Sequence, residues 1–229
     1  MSIMESKLNT QQCSAEDKEK VFVMPEPKPG YEIAKRIFDI VASAFALVVL
    51  SPILLIVCIA VWCEDRGSPI YSQIRLTKGG KPFRMYKFRS MCVNADELLE
   101  SLMDQNEMTG PAFKIAADPR ITKVGAFLRR TSIDELPQLV NIIKGDMSVI
   151  GPRPPLPREV EQYTPYQLQR LNVKTGLACY HECMGRSNAN DFDEWVESDL
   201  RYIRERSFWT DMKIILWTIK IVITKKGAV

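Results

Sequence analysis

A chain of 229 residues, with 31 Lys and Arg against 28 Asp and Glu, has room for one folded domain and no charge excess that would favour nucleic acid as a partner. Its six cysteines, at positions 13, 58, 63, 92, 179 and 183, are scattered, which excludes a small secreted disulfide scaffold and fits a reducing compartment.

Residues 1–31 are polar and become proline-rich at Pro25, Pro27 and Pro29 without a sustained apolar period, so a flexible N-terminal extension is expected. Between Asp39 and Glu64 the chain then carries no charge, and only Ser43, Ser51 and Pro52 interrupt the apolar run Ile40–Cys63. As a straight helix at ~1.5 Å per residue this run measures about 36 Å, against a hydrocarbon core of ~30 Å. Pro52 has no N–H and its ring displaces the carbonyl of Val48. Residues 32–66 are therefore expected to form helix, break and helix, with the Ser51 hydroxyl capping the carbonyl of Leu47. Each half reaches only about 16 Å, roughly the bilayer midplane. Lys28, Lys35 and Arg36 precede the run and Arg66, Arg75, Lys78 and Lys81 follow it, so the cationic bias of cytoplasmic sequence stands at both ends. A kinked spanning helix and a re-entrant hairpin both accommodate the run, and the charges favour the hairpin.

Residues 67–229 are expected to form one cytoplasmic domain. Ile70–Leu76 and Phe83–Phe88 flank the turn Lys78-Gly79-Gly80-Lys81 and predict a β-hairpin. Asp96–Glu107 and Thr122–Arg130 carry apolar residues at helical spacing, separated by the breaker Asp118-Pro119-Arg120. In Thr131-Ser132-Ile133-Asp134-Glu135-Leu136-Pro137-Gln138-Leu139, Ser132 and Glu135 fit a capping box, while Pro137 argues for a start one or two residues later. Leu136, Leu139, Val140 and Ile143 make the apolar stripe, which Gly145 ends. Gly151-Pro152-Arg153-Pro154-Pro155 is a rigid segment presenting one guanidinium. From Asp211 to Thr224, Met212, Ile215, Leu216, Ile219, Val222 and Ile223 form a stripe near Trp209 and Trp217, in a helix suited either to a membrane interface or to a core.

Asp134 and Glu135 are adjacent, so on a helix they diverge by ~100° and cannot face one another across a scissile bond. Neighbours at a helix start can divide the work, one attacking and the other holding a cation, or can merely complement the helix dipole. Lys87, Arg89, Arg129, Arg130 and Arg153 supply the cations a diphosphate would need, and Mg²⁺ could bridge one carboxylate to phosphate oxygens. Cys179, His181 and Cys183 are soft-metal ligands without a second cluster, for which ordinary packing is the simpler reading.

Lys35-Arg36-Ile37-Phe38-Asp39 ahead of an apolar run with Ser51-Pro52, then Lys87-Phe88-Arg89-Ser90-Met91, Thr131 to Gln138 and Gly151-Pro152-Arg153-Pro154, closely resembles the bacterial sugar transferases, the monotopic phosphoglycosyl transferases. The resemblance covers about residues 32 to 227 and looks like the minimal form. It implies an α+β, mainly helical membrane-associated domain with a re-entrant N-terminal helix, a small hairpin and interfacial helices, at the cytoplasmic face of the bacterial inner membrane. It implies transfer of a sugar-1-phosphate from a UDP-sugar to polyprenyl (undecaprenyl) phosphate with release of UMP, initiating glycan assembly ahead of downstream glycosyltransferases. Asp134 would be the nucleophile, Glu135 the Mg²⁺ ligand, and Lys87, Arg89, Arg129, Arg153 and Arg186 substrate contacts. The stretch Ala178 to Arg186 departs from the family's usual short apolar turn into Ser-Gly-Arg. The competing classes are a non-enzymatic membrane adaptor and a membrane-bound nucleotide-sugar pyrophosphatase.

Overall fold

The computed structural model describes residues 25–107, 109–112, 115, 118–183 and 191–224, so Arg186 and nearly all of the expected extension lie outside the described residues. Helix α1, Pro29–Asp65, opens on a proline at its first turn, where a missing N–H costs nothing. It continues through Pro52 as one helix of 37 residues. The expected division into two helices is not made. Ser51 Oγ donates to the carbonyl of Val48 at 2.8 Å, the acceptor that a residue-52 N–H would have served, so the hydroxyl replaces the lost backbone bond and the helix persists. Leu47, expected to carry the capped carbonyl, is not its partner.

One stripe of α1 faces the rest of the molecule. Asp39, Ser43, Val57 and Val61 are buried along it, and Ala46, Leu47, Leu54 and Cys58 pack between them on two core clusters. The opposite face carries Phe45, 71% exposed, and Val48, 74% exposed, with Ile37, Val41, Leu55, Ile56 and Ile59. An apolar surface of this length is unfavourable in water, and the helix is long and apolar enough to cross a membrane.

The hairpin forms as expected: β1, Ile70–Thr77, pairs antiparallel with β2, Lys81–Phe88, from Ile70 opposite Phe88 to Thr77 opposite Lys81. Its turn places Gly79 and Gly80 at φ 71°, a region closed to most side chains. Asp96–Glu107 forms a short helical turn and a 3₁₀ stretch instead of one helix. Helix α2, Lys123–Thr131, starts at Thr122, whose hydroxyl accepts the Gly125 N–H. A Cβ on Gly125 would lie 2.0 Å from the carbonyl oxygen of Ser90, so glycine lets α2 dock directly on the chain leaving β2.

Helix α3, Gln138–Lys144, ends at Gly145 with φ 93° as the left-handed cap. Its buried Asn141 ties it to the hairpin, donating to the Arg84 carbonyl at 2.8 Å and accepting the Tyr86 N–H at 3.0 Å. Arg36 of α1 donates to the carbonyls of Ile142 and Ile143 at 2.6 and 2.8 Å, satisfying orphan acceptors at the α3 C-terminus. Strand β3, Ser148–Ile150, pairs parallel with β4, Gly176–Ala178, and the Val149 N–H donates to buried Asp39 at 3.0 Å.

The largest core cluster joins β3 and β4 to α4, Phe192–Glu205, and α5, Phe208–Thr224. Helix α4 buries Val196, Leu200 and Ile203, a spacing visible in the sequence. Helix α5 turns Asp211 and Ile214 inward and leaves Leu216 and Ile219 of the predicted stripe exposed, pointing away from the core. An element apolar on nearly every side does not announce which face is buried, and here polar pairing decides: Asp211 accepts from Lys35 at 2.6 Å, Tyr31 at 2.8 Å and Tyr202 at 2.9 Å.

Candidate active site

The acidic pair is placed by a backbone reversal. Ser132 ends α2 in the left-handed region at φ 56°, a conformation that costs a serine about 1–2 kcal/mol. Its side chain caps nothing, and Ile133–Glu135 forms a 3₁₀ turn ahead of α3. The expected capping box is therefore absent. With Pro137 at the N-cap, α3 begins only at Gln138, where a missing N–H is harmless. The reversal points both carboxylates into a cleft of about 560 Å³ bounded by the hairpin, α2, the Gly151–Pro155 segment and α4.

Asp134, 7% exposed, lies in this cleft. Burial raises its carboxyl above the ordinary aspartate range, and Glu135 pushes the same way, while Lys87 and Arg129 oppose the shift. Glu135 is half-buried and accepts from Lys87 Nζ at 2.7 Å. Burial works against its ionisation, but Lys87, Arg153 and Arg75 outweigh this and hold it below the usual glutamate range. Two neighbouring carboxylates are thus pushed in opposite directions, the buried one towards a proton and the ion-paired one towards its charged form.

The predicted cations divide into two groups. Lys87, Arg129, Arg130 and Arg153 line the cleft. Arg129 Nε donates to Ser90 Oγ at 2.9 Å, and Arg153 lies with Cζ 5.7 Å from the Trp195 ring centroid. Arg89 also borders the cleft, yet its guanidinium is held by both carboxylate oxygens of Asp65 and by the Ser68 carbonyl, fastening β2 to the end of α1. Sequence reasoning missed Arg75, which donates to the Pro154 carbonyl at 3.0 Å. Burial, with Arg153 beside it, pulls Arg75 down to about 10, so it remains a cation at neutral pH. A basic residue in mid-strand was its only signal. Cys179, His181 and Cys183 do not converge on a metal. His181 stacks on Trp195, Cys183 Sγ meets Thr218 Oγ1 at 3.0 Å, and no group of three metal-binding side chains occurs among the described residues.

Glu135 suits Mg²⁺: it is ionised, borders the cleft, and has one carboxylate oxygen beyond the one Lys87 holds. Mg²⁺ commonly takes one or two protein carboxylates and completes its shell with phosphate oxygens and water. An aspartate walled by cations in a partly dry cleft can receive a phosphate diester and present a nucleophile to it. The fold and the site together define a domain with one helix long and apolar enough to cross a membrane and an acidic pair in a cleft lined by cations.

The chain belongs to the bacterial sugar transferase family, whose model matches residues 30–225. It is 46% identical over 201 residues to the galactosyl transferase CpsE of Streptococcus agalactiae serotype III, covering 88% of this chain and 44% of that protein. It is 40% identical over 205 residues to the undecaprenyl-phosphate galactose phosphotransferase of Salmonella typhimurium, covering 88% and 43%. The exopolysaccharide production protein ExoY of Rhizobium meliloti is 37% identical over 215 residues, 90% of this chain and 95% of ExoY. The chain thus spans less than half the length of the first two relatives and nearly all of the third.

Proposed function

We propose that this protein is a phosphoglycosyl transferase that moves a sugar-1-phosphate from a UDP-sugar to polyprenyl phosphate. The observation that carries the reading is the buried Asp134 beside the ion-paired Glu135 in a cleft ringed by Lys87, Arg129 and Arg153. The names of the relatives, which include an undecaprenyl-phosphate galactose phosphotransferase, support it. In the first step an Asp134 oxygen attacks the sugar-bearing β-phosphorus. The bond from that phosphorus to the bridging oxygen breaks, and UMP leaves with the electron pair. In the second step an oxygen of polyprenyl phosphate attacks the same phosphorus, the acyl phosphate bond breaks, and Asp134 is regenerated as a carboxylate. Mg²⁺ held by Glu135 would neutralise charge on the phosphate oxygens. Lys87, Arg129 and Arg153 orient the diphosphate and balance its charge. The acceptor is a lipid, so α1 and the exposed apolar face of α5 seat the domain at the cytoplasmic face of the membrane. The product begins assembly of a lipid-linked glycan.

Purified protein with Mg²⁺, a panel of UDP-sugars and polyprenyl phosphate tests this. A transferase makes polyprenyl-diphosphate-sugar and UMP and without lipid stops at about one UMP per chain, a pyrophosphatase turns over to UMP without lipid, and an adaptor releases none. With labelled UDP-sugar and no lipid, the wild type should carry about one phosphosugar per chain and Asp134→Asn none. Stoichiometric labelling of that variant would remove Asp134 from the reaction.

A further inference from the structure

The cleft has a second end, apart from the acidic pair. Beyond Arg153 its wall becomes aromatic. His181 stacks on Trp195 with ring centroids 5.8 Å apart and planes 23° apart, and Phe192 meets Trp195 edge-on at 6.2 Å. The buried Arg170, paired with Asp199, supports the indole from the core, its Cζ 5.1 Å from the ring centroid. All four side chains line the same cleft as Asp134.

The order of groups along the cleft gives this end a meaning. Arg75, Lys87, Glu135 and Arg153 converge on one small recess that Asp134 does not line, and Arg153 then lies 5.7 Å from the Trp195 centroid. The sequence in space is Asp134, Glu135 with Lys87, Arg153, and then the aromatic stack. Attacking and leaving oxygens are roughly in line in phosphoryl transfer. A donor whose β-phosphorus is attacked by Asp134 must therefore extend its leaving half away from Asp134. The part of the cleft that runs past Arg153 to Trp195 offers it a course.

We propose that the His181–Trp195 stack is a nucleobase site that receives the uracil of the donor, with Arg153 on the phosphate between it and the reacting centre. The inference rests on the transferase reading for its donor class, but not for the existence of the lobe. His181 and Trp195 are both only partly buried, so the stack presents ring surface to a planar base, with the Arg153 guanidinium as a polar neighbour. The incoming lipid phosphate has no base, so it would share the Arg153 end and leave the stack vacant.

Direct binding of UMP and of ribose 5-phosphate to the purified full chain in detergent isolates the base. The wild type should bind UMP on the order of tenfold to a hundredfold more tightly than ribose 5-phosphate, the range one base stacked on an aromatic ring supplies. Trp195→Leu should shrink that ratio towards one while Trp195→Phe keeps most of it. His181→Ala, at the partly exposed end of the stack, carries the same prediction should Trp195→Leu not fold. An unchanged UMP to ribose 5-phosphate ratio in folded variants would overturn the assignment. A wild type that binds UMP through the stack yet loads phosphosugar from no UDP-sugar would overturn the transferase reading and leave the base site standing.

Discussion

In the proposed mechanism Asp134 must be ionised to attack, and burial raises its carboxyl, so this residue is expected to shape the acid limb of the loading reaction. As pH falls through the raised value, protonation removes the nucleophile. Lys87, Arg153 and Arg75 pull Glu135 the other way, towards its charged form. The rate of UMP release without lipid should therefore fall at a pH above the ordinary aspartate value of 3.8. Lys87→Met deletes the largest influence that lowers Asp134, and the limb should move to higher pH. A limb that stays in place would detach Lys87 from the nucleophile. Arg153 tests the phosphate contact. Pro152 and Pro154 fix its backbone, and a planar fork can hold two phosphate oxygens where an ammonium offers a point charge. Arg153→Lys should lose roughly tenfold or more in kcat/KM, about 1.4 kcal/mol, with its melting temperature unchanged. Near-normal turnover would make the guanidinium dispensable.

At the scale of elements, α3 is a strut with a contact at each level. The acidic turn precedes its N-terminus, Asn141 in its middle binds the strand that carries Lys87, and Arg36 of α1 holds its last carbonyls. Asn141→Leu would leave the Tyr86 N–H and the Arg84 carbonyl without their partner. The expected destabilisation is about 1–3 kcal/mol for each buried group left unsatisfied, read as a lower denaturant midpoint. Because β2 then separates from α3, loading should fall at temperatures where the variant is still folded. Equal stability to wild type would show that water replaces the amide.

For the whole molecule the question is how α1 meets the membrane. Its two ends are both fastened to the same domain, Arg36 and Asp39 to α3 and β3, and Glu64 to α2 through the Val124 N–H at 3.1 Å. A helix so fastened cannot carry its start to the far side of a bilayer while its end stays on the near side with the domain. Cysteine reporters at Glu26 and Lys78, on a background without the native cysteines, should both be protected from an impermeant reagent in intact cells and react after lysis. Labelling at Glu26 in intact cells would establish a spanning helix. Replacing Ser51-Pro52 by Ala-Leu restores a backbone bond to Val48 that the Ser51 hydroxyl already replaces, so topology and transfer should both be retained, and an exposed N-terminal reporter would make Pro52 decisive. Retention of both topology and activity would show that the fastened ends, not Pro52, hold the arrangement.

The sequence by itself determined the apolar helix, the hairpin, the stop at Gly145 and the candidate residues of the site, because each depends on local composition, periodicity or motif order. Lys87, Arg129, Arg153, Asp134 and Glu135 were legible in this way, and the structure gathers all five around one cleft. Only the tertiary structure decided what long-range pairing controls. Arg89 is turned to Asp65, 24 residues away in the chain, and Arg75 is drawn in beside Arg153. Asp211 chooses the buried face of α5, and β3 finds β4 across 25 intervening residues, a parallel pairing that two three-residue strands cannot announce. Nor can a sequence pattern show that Ser51 would mend the helix that Pro52 interrupts. Nor does it show that Ser132 would adopt a left-handed turn and aim the acids into the cleft. Both outcomes depend on the surroundings compensating a local cost, and those surroundings exist only once the chain has folded.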